Sequence, residues 1–203
     1  MKIICIGRNY AMHAKELNNP VPKEPVMFMK PDSALLQSQK PFFIPDFTKD
    51  VHHELEIVVK INRLGKHIKK KFAHKYYNSI TVGIDFTARD VQKDLKSKGL
   101  PWEIAKAFDG SAPIGKFIPV DQFEDLQNLN FKLEKNGTPV QIGNTKDMLF
   151  DIDTLIEHIS KYFTLKIGDL IYTGTPAGVG SVQIGDQLVA SIEGQELLKT
   201  SVK

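Results

Sequence analysis

Two carboxylates, Glu54 and Glu56, stand one residue apart at the head of a β-branched run, His52-His53-Glu54-Leu55-Glu56-Ile57-Val58-Val59. On a strand, side chains alternate between faces. The two glutamates therefore point one way, and Leu55, Ile57 and Val59 the other. Like charges side by side on a part-buried strand repel and lose hydration. A hard divalent cation bound through oxygen ligands removes that cost. The same pattern also suits a solvated edge strand. A metal reading therefore needs a further ligand and a pocket from elsewhere in the chain.

Other residue pairs could supply acid–base or anion chemistry. His13 and Glu16 are three apart on a short predicted helix over 10–17, so they are neighbours, and a carboxylate beside an imidazole orients it and raises its basicity. Lys30 ends the predicted strand Val26-Met27-Phe28-Met29, where a lysine either faces a pocket or is solvated. Asp85 lies at a strand-to-helix junction, with Arg89 and Gln92 further along the helix. Lys106 sits among Ala105, Ala107 and Phe108. A lysine in that setting either reaches out to water or pairs with an anion. The stretch Thr173-Gly174-Thr175-Pro176-Ala177-Gly178-Val179-Gly180 is neither a phosphate loop nor a dinucleotide fingerprint, but its glycines let backbone N–H groups approach a ligand, with the Thr175 hydroxyl as an extra donor.

These residues need a scaffold, and the chain has 203 residues, enough for one domain with a sizeable core. Composition is ordinary for a globular protein, with 41% hydrophobic and 25% charged residues. The single cysteine, Cys5, excludes an internal disulfide and fits a reducing compartment. No run approaches the ~20 apolar residues of a membrane span. The opening Met1-Lys2-Ile3-Ile4-Cys5-Ile6 reads as a first strand of a cytoplasmic protein. A net charge of +3 gives little electrostatic footprint for nucleic acid, and the basic run 66–71 reads as a solvated loop.

The remaining periodicity is strand-rich. Strands are expected at 52–60, 80–84, 129–135, 140–143, 170–173 and 187–192, with Asn136-Gly137 turning one hairpin. A helix is expected over 151–163, capped by Asp151, and another up to about Ser97, with Thr87 as its cap and Ala88, Val91 and Leu95 as its buried stripe. Asn9 is the expected cap of the 10–17 helix. The proline-rich 20–25 segment reads as an extended connection that could hinge.

Taken together, Gly7-Arg8-Asn9-Tyr10, His13-x-x-Glu16, Lys30-Pro31, His53-Glu54-Leu55-Glu56, Asp85-x-Thr87-Ala88-Arg89-Asp90-Val91-Gln92, Gly99-Leu100-Pro101-Trp102, Ala105-Lys106 and the Thr173–Gly180 loop cover nearly the whole chain. In order and spacing they resemble the fumarylacetoacetate hydrolase superfamily, in its acylpyruvase-like branch. The resemblance implies an α+β, β-rich fold, with mixed sheets rolled into a sandwich or barrel-like core and helices outside. It implies one catalytic domain over 1–203, with 9–25 as a lid, assembled as a homodimer. It supplies Asp85 as the third ligand, so that Glu54, Glu56 and Asp85 would hold Mg2+ or Mn2+. Arg89, Gln92 and Lys106 would line the site of a small 2-oxo acid, and Gly174 and Thr175 would bind its carboxylate. Lys106 would also serve catalysis, His13 and Glu16 would activate water, and Lys30 would position it. The implied activity is hydrolysis of acylpyruvates through a metal-stabilised pyruvate enolate. Decarboxylation of oxaloacetate, or keto–enol isomerisation of 2-oxo diacids, is the alternative use of the same site, and retention of His13 and Glu16 favours hydrolysis. A non-enzymatic polyanion-binding module is the remote third reading. His53 is expected to support the metal site from behind rather than to ligate, because hard cations prefer oxygen.

Overall fold

The computed structural model describes residues 1–16 and 20–203. The run Leu55–Ile61 is buried along nearly its whole length and forms the middle of an eight-stranded mixed sheet. It pairs antiparallel with Tyr77–Ile84 on one side and with Leu170–Tyr172 on the other. Beyond Leu170–Tyr172 come Ile3–Gly7, in parallel, and then Val26–Lys30, antiparallel. Beyond Tyr77–Ile84 come Ala112–Ile114 and Leu35–Gln37, while Ile118–Pro119 pairs with the far part of Tyr77–Ile84. Four antiparallel strands form a second sheet in the order Thr138–Asn144, Asn130–Lys135, Gln187–Ile192, Gln195–Ser201. A small third sheet joins Gly180–Ser181, Val51–His53 and Thr87–Ala88.

Alternation along Leu55–Ile61 sets what faces what. Leu55, Ile57, Val59 and Ile61 join Phe131, Leu133, Leu188 and Ile192 of the second sheet in the main core. Val58 turns the opposite way, into a smaller cluster with Ile3, Cys5 and Tyr172. Full burial of each such aliphatic side chain is worth roughly 1.5–3 kcal/mol. Glu56 shares the Val58 side of the strand, so it stands at the edge of the smaller cluster and away from the main core.

Five α-helices lie outside the sheets among the described residues: α1 (Ala11–Glu16), α2 (Lys70–Ala73), α3 (Arg89–Ser97), α4 (Glu103–Lys106) and α5 (Ile152–Tyr162). α5 follows its sequence pattern, with Ile152, Leu155, Ile156 and Ile159 buried and the Asp151 carboxylate accepting the Thr154 N–H at 2.8 Å. The basic run packs against α5: Lys66 donates to the Tyr162 carbonyl at 2.6 Å, Ile68 is buried, and Lys70 pairs with Asp151 at 2.7 Å. Asn136 and Gly137 both take positive φ, 55° and 79°, as a two-residue hairpin turn matched to strand twist requires. The strand-rich α+β architecture expected from the sequence is the one observed. No helix among the described residues is long and apolar enough to cross a membrane.

Local expectations failed in four places. The strand expected over 52–60 is interrupted at Glu54, and its halves belong to different sheets. Thr87 lies in a strand instead of capping α3; the Asp90 carboxylate accepts instead from Thr48 at 2.5 Å and the Lys49 N–H at 2.9 Å. The buried face of α3 is Arg89, Gln92 and Leu95, with Val91 only half-buried, because the polar pair turns inward. Asn9 does not cap α1. Its side chain donates to the carbonyls of Phe150 (3.0 Å) and Thr173 (2.8 Å) and accepts the Phe150 N–H (2.8 Å). Three backbone groups outcompete one helix end. The expected end of the first helix at Leu17, and the Asn18-Asn19 stop, lie outside the described residues.

Candidate active site

The antiparallel pairing of Leu55–Ile61 with Tyr77–Ile84 brings the acids together. Leu55 stands opposite Ile84, and the next step places Asp85 beside Glu54, with the Asp85 N–H donating to the Glu54 carbonyl at 2.8 Å. Glu56 is two residues on, opposite Gly83. One carboxylate oxygen from each of Glu54, Glu56 and Asp85 lies within 4.8 Å of the others, and all three residues are buried.

Cations surround this cluster. Lys106 Nζ reaches Glu54 Oε2 at 2.7 Å and Asp85 Oδ2 at 2.6 Å, and Arg89 pairs with Glu54 Oε1. Lys30, from the end of its strand, approaches Asp85 Oδ1 at 2.7 Å; it also donates to the Lys106 carbonyl and, at 3.0 Å, to Ser111 Oγ. Burial opposes ionisation of Glu54, but Lys106 and Arg89 outweigh it and hold its carboxyl well below the usual range. Glu56 behaves in the opposite way. Burial and the neighbouring Asp85 push its carboxyl well up, against the Gly174 N–H that donates to Oε2 at 2.7 Å. For Lys106, burial favours the neutral amine, yet Asp85 and Glu54 prevail and raise it. Asp85 Oδ1 is buried without an aligned hydrogen-bond donor, the nearby Lys30 notwithstanding. An all-oxygen cluster with an unsatisfied acceptor and one carboxyl resisting ionisation fits a hard divalent cation.

One cavity opens onto the acids. Of the residues expected from the sequence, His13, Glu54, Glu56, Asp85, Arg89, Gln92, Lys106 and Thr175 all line it. Arg89 donates to Gln92 Oε1 at 2.6 Å, so these two act as one unit on α3. Glu16, Lys30 and Gly174 are not among the lining residues. Glu16 stands behind His13, bonding its Nδ1 at 3.1 Å through Oε2 and accepting the Gly178 N–H at 3.1 Å through Oε1. Lys30 lies beneath Asp85, tied to α4. Gly174 spends its N–H on Glu56, and its φ of +102° and a would-be Cβ 2.6 Å from the Asn9 side chain require glycine.

One contributor carries no local sequence signal. Gln141, buried on Thr138–Asn144, accepts the Leu55 N–H at 2.9 Å and bonds His53 Nδ1 at 2.9 Å. Its amide donates to Thr175 Oγ1 at 2.9 Å and to the Pro176 carbonyl at 3.1 Å. It therefore joins the acidic strand to the Gly loop. His53 meets Gln141, not a carboxylate of the cluster, and burial lowers its pKa. Arg8, Lys96, Phe28 and Trp102 also line the cavity. A glutamine in a hairpin 86 and 88 residues from Leu55 and His53 is visible as their partner only once the sheets are assembled.

Residues 2–203 match the family model for the fumarylacetoacetate (FAA) hydrolase C-terminal domain. The chain belongs to the fumarylacetoacetate hydrolase family. It is 45% identical over 197 residues to oxaloacetate tautomerase YcgM of Escherichia coli (strain K12), covering 97% of this chain and 90% of that protein. It is 45% identical over 194 residues to the mitochondrial oxaloacetate decarboxylase of Dictyostelium discoideum, covering 95% of this chain and 89% of that one. A fumarylpyruvate hydrolase from Pseudomonas aeruginosa, solved in complex with Mn2+ and pyruvate, superposes with a TM-score of 0.94 at 34% identity, covering 100% of this chain and 89% of that one. The family relation and the strand-rich fold expected from the motifs are therefore established. The acidic cluster lies in a family fold that binds Mn2+ in that neighbour.

Proposed function

We propose that this chain is a divalent-metal-dependent enzyme of 2-oxo diacids whose main reaction is keto–enol tautomerisation of oxaloacetate. The observation that carries the reading is the 45% identity, across nearly the full chain, to a protein named as an oxaloacetate tautomerase. Hydrolysis of acylpyruvates, the first expectation from the motifs, has weaker support, since the fumarylpyruvate hydrolase neighbour stands at 34%. Glu54, Glu56 and Asp85 would hold Mg2+ or Mn2+, which supplies Lewis-acid stabilisation of negative charge developing on a 2-oxo acid.

The chain's own residues do the rest. Arg89 and Gln92, locked to each other, present fixed donors to a substrate carboxylate. Thr175, positioned by Gln141, adds a hydroxyl. Lys106 and Arg89 keep Glu54 ionised. His13 lines the cavity with Nδ1 taken by Glu16, so Nε2 is the ring nitrogen left to move a proton. In tautomerisation a proton leaves the enol oxygen and one is delivered at C3 of the diacid. Decarboxylation, favoured as a second activity by the Dictyostelium relative, shares the C3 step: the C3–C4 bond breaks, CO2 leaves, and the electron pair left at C3 takes the proton. The Glu16–Gly178 bond fastens α1 to the Gly loop, which supports the reading of 9–25 as a lid over the cavity, with 20–25 as its hinge. We read the protein as a cytoplasmic homodimer. Light scattering at about twice 22.8 kDa supports that assembly, and the monomer mass removes it.

A three-substrate comparison tests the reading. Enol oxaloacetate is mixed with the enzyme, and loss of enol absorbance and appearance of pyruvate are followed together. Acetylpyruvate cleavage is measured beside them. Enol loss should run ahead of pyruvate formation, and both ahead of acetylpyruvate cleavage. Acetylpyruvate cleaved faster than either would return the enzyme to the acylpyruvases.

A further inference from the structure

The cavity wall is rich in cationic side chains. Its three carboxylates face four cations, Arg8, Arg89, Lys96 and Lys106, before any metal is added. Lys106 and Arg89 are committed to Glu54 and Asp85. Arg8 makes no hydrogen bond or ion pair with the described residues. Lys96, one turn along α3 from Gln92, has its ammonium pushed below the usual lysine range by burial and by the guanidinium groups of Arg8 and Arg89. Arg8, Arg89 and Lys96 all line this one cavity. Arg89 Nε, in a nearly buried side chain, has no partner.

Arg8 is also held there at a cost. Its φ of 61° is left-handed, a conformation that strains a non-glycine residue. The next residue fixes it. Asn9 is clamped by its side-chain bonds to Phe150 and Thr173, and its carbonyl accepts the Leu149 N–H at 2.8 Å. A strained backbone position that aims a guanidinium at a cavity is where function is to be sought.

We infer that Arg8 and Lys96 form a subsite for the distal carboxylate of a 2-oxo diacid in this cavity, and so set the preference for diacids over 2-oxo monoacids. The inference rests on the 2-oxo diacid reading above and names the residues that would make the distinction. A 2-oxo acid with its head at Glu54, Glu56 and Asp85 presents either a carboxylate or an uncharged tail to these cations. The carboxylate gains charge-assisted hydrogen bonds from them, which an apolar tail cannot accept.

The test is an affinity ratio. Oxaloacetate and 2-oxobutyrate share the same head and differ in carboxylate against methyl, and the dissociation constant of each is measured by calorimetry on full-length protein with Mg2+. The wild type should favour the diacid by about tenfold or more, the scale of one charge-assisted bond. Arg8→Gln should reduce that ratio about tenfold, Arg8→Lys should restore part of it, and Lys96→Gln should lower it severalfold. Lys93→Gln, a charge removed from the same helix outside the cavity, should leave the ratio unchanged. If Arg8→Gln does not fold, Lys96→Gln, at an exposed helical position, decides alone. A ratio near one in the wild type, or variants that weaken both ligands equally, would overturn the subsite even if oxaloacetate is turned over. Protein that keeps the ratio but converts no oxaloacetate would sustain the subsite and remove the proposed reaction.

Discussion

At the residue scale, the acidic cluster holds two glutamates of opposite character. Glu54 is ionised because two buried cations hold it so, and Glu54→Gln leaves Arg89 without a carboxylate partner and Lys106 with Asp85 alone, which should cost about 3–5 kcal/mol in denaturant unfolding of metal-free protein. Burial, and after it repulsion by Asp85, push the Glu56 carboxyl well up, favouring its neutral form. Glu56→Gln should therefore leave metal-free stability unchanged or raise it, since an amide oxygen can still accept the Gly174 N–H, while weakening Mg2+ or Mn2+ binding at least about tenfold. Equal losses of stability in both variants would contradict this division. Titration follows from the same contrast. The raised Glu56 carboxyl binds its proton more tightly in the folded state. Its contribution to metal-free stability is complete below the ordinary glutamate value of 4.5 and is lost as pH rises through its folded value. Glu54 has the reverse sign: its contribution is present above 4.5 and is lost only as pH falls into the strongly acid range. A metal competes with the proton that the raised Glu56 carboxyl favours, so metal affinity should rise with pH and proton release should accompany binding in calorimetry run in buffers of different ionisation enthalpy. The two glutamates were legible as a pair from strand alternation alone. Their inequality was not, because it comes from Asp85, Lys106 and Arg89, which meet them only in the assembled sheet.

At the scale of elements, local patterns were legible where a single element decides the outcome. The stripe of α5 with its Asp151 cap, and the Asn136-Gly137 turn, are as expected. Asp151→Ala should cost about 1 kcal/mol through the lost cap, measured by thermal or denaturant unfolding. Expectations failed where another element offered a better partner, as with Asn9, Asp90 and the broken strand at Glu54. Gln141 is the clearest example, since it touches His53, Leu55, Thr175 and Pro176 from a hairpin that reads as ordinary. Gln141→Ala leaves the Leu55 N–H without its acceptor and frees Thr175. It should cost about 1–3 kcal/mol and lower kcat/KM for oxaloacetate. A fall in stability with unchanged kcat/KM would limit Gln141 to the scaffold.

At the scale of the molecule, one antiparallel strand pair seats three acids at the edge of a buried sheet, α3 and α4 bring the cations that compensate them, and α1 lays His13 over the opening. The family and fold were legible because the motifs run through nearly the whole chain in order. The preferred reaction was not, because hydrolysis, decarboxylation and tautomerisation use the same acids, the same dyad and the same head group, and differ in what happens at C3 and C4. The central claim is that a divalent ion at Glu54, Glu56 and Asp85 is required for conversion of oxaloacetate. The direct measurement is the rate of enol-to-keto conversion of oxaloacetate by protein stripped with chelator and then given Mg2+ or Mn2+. The enzymatic rate should vanish on stripping and return on addition of either ion. Undiminished conversion by the stripped protein would contradict the account.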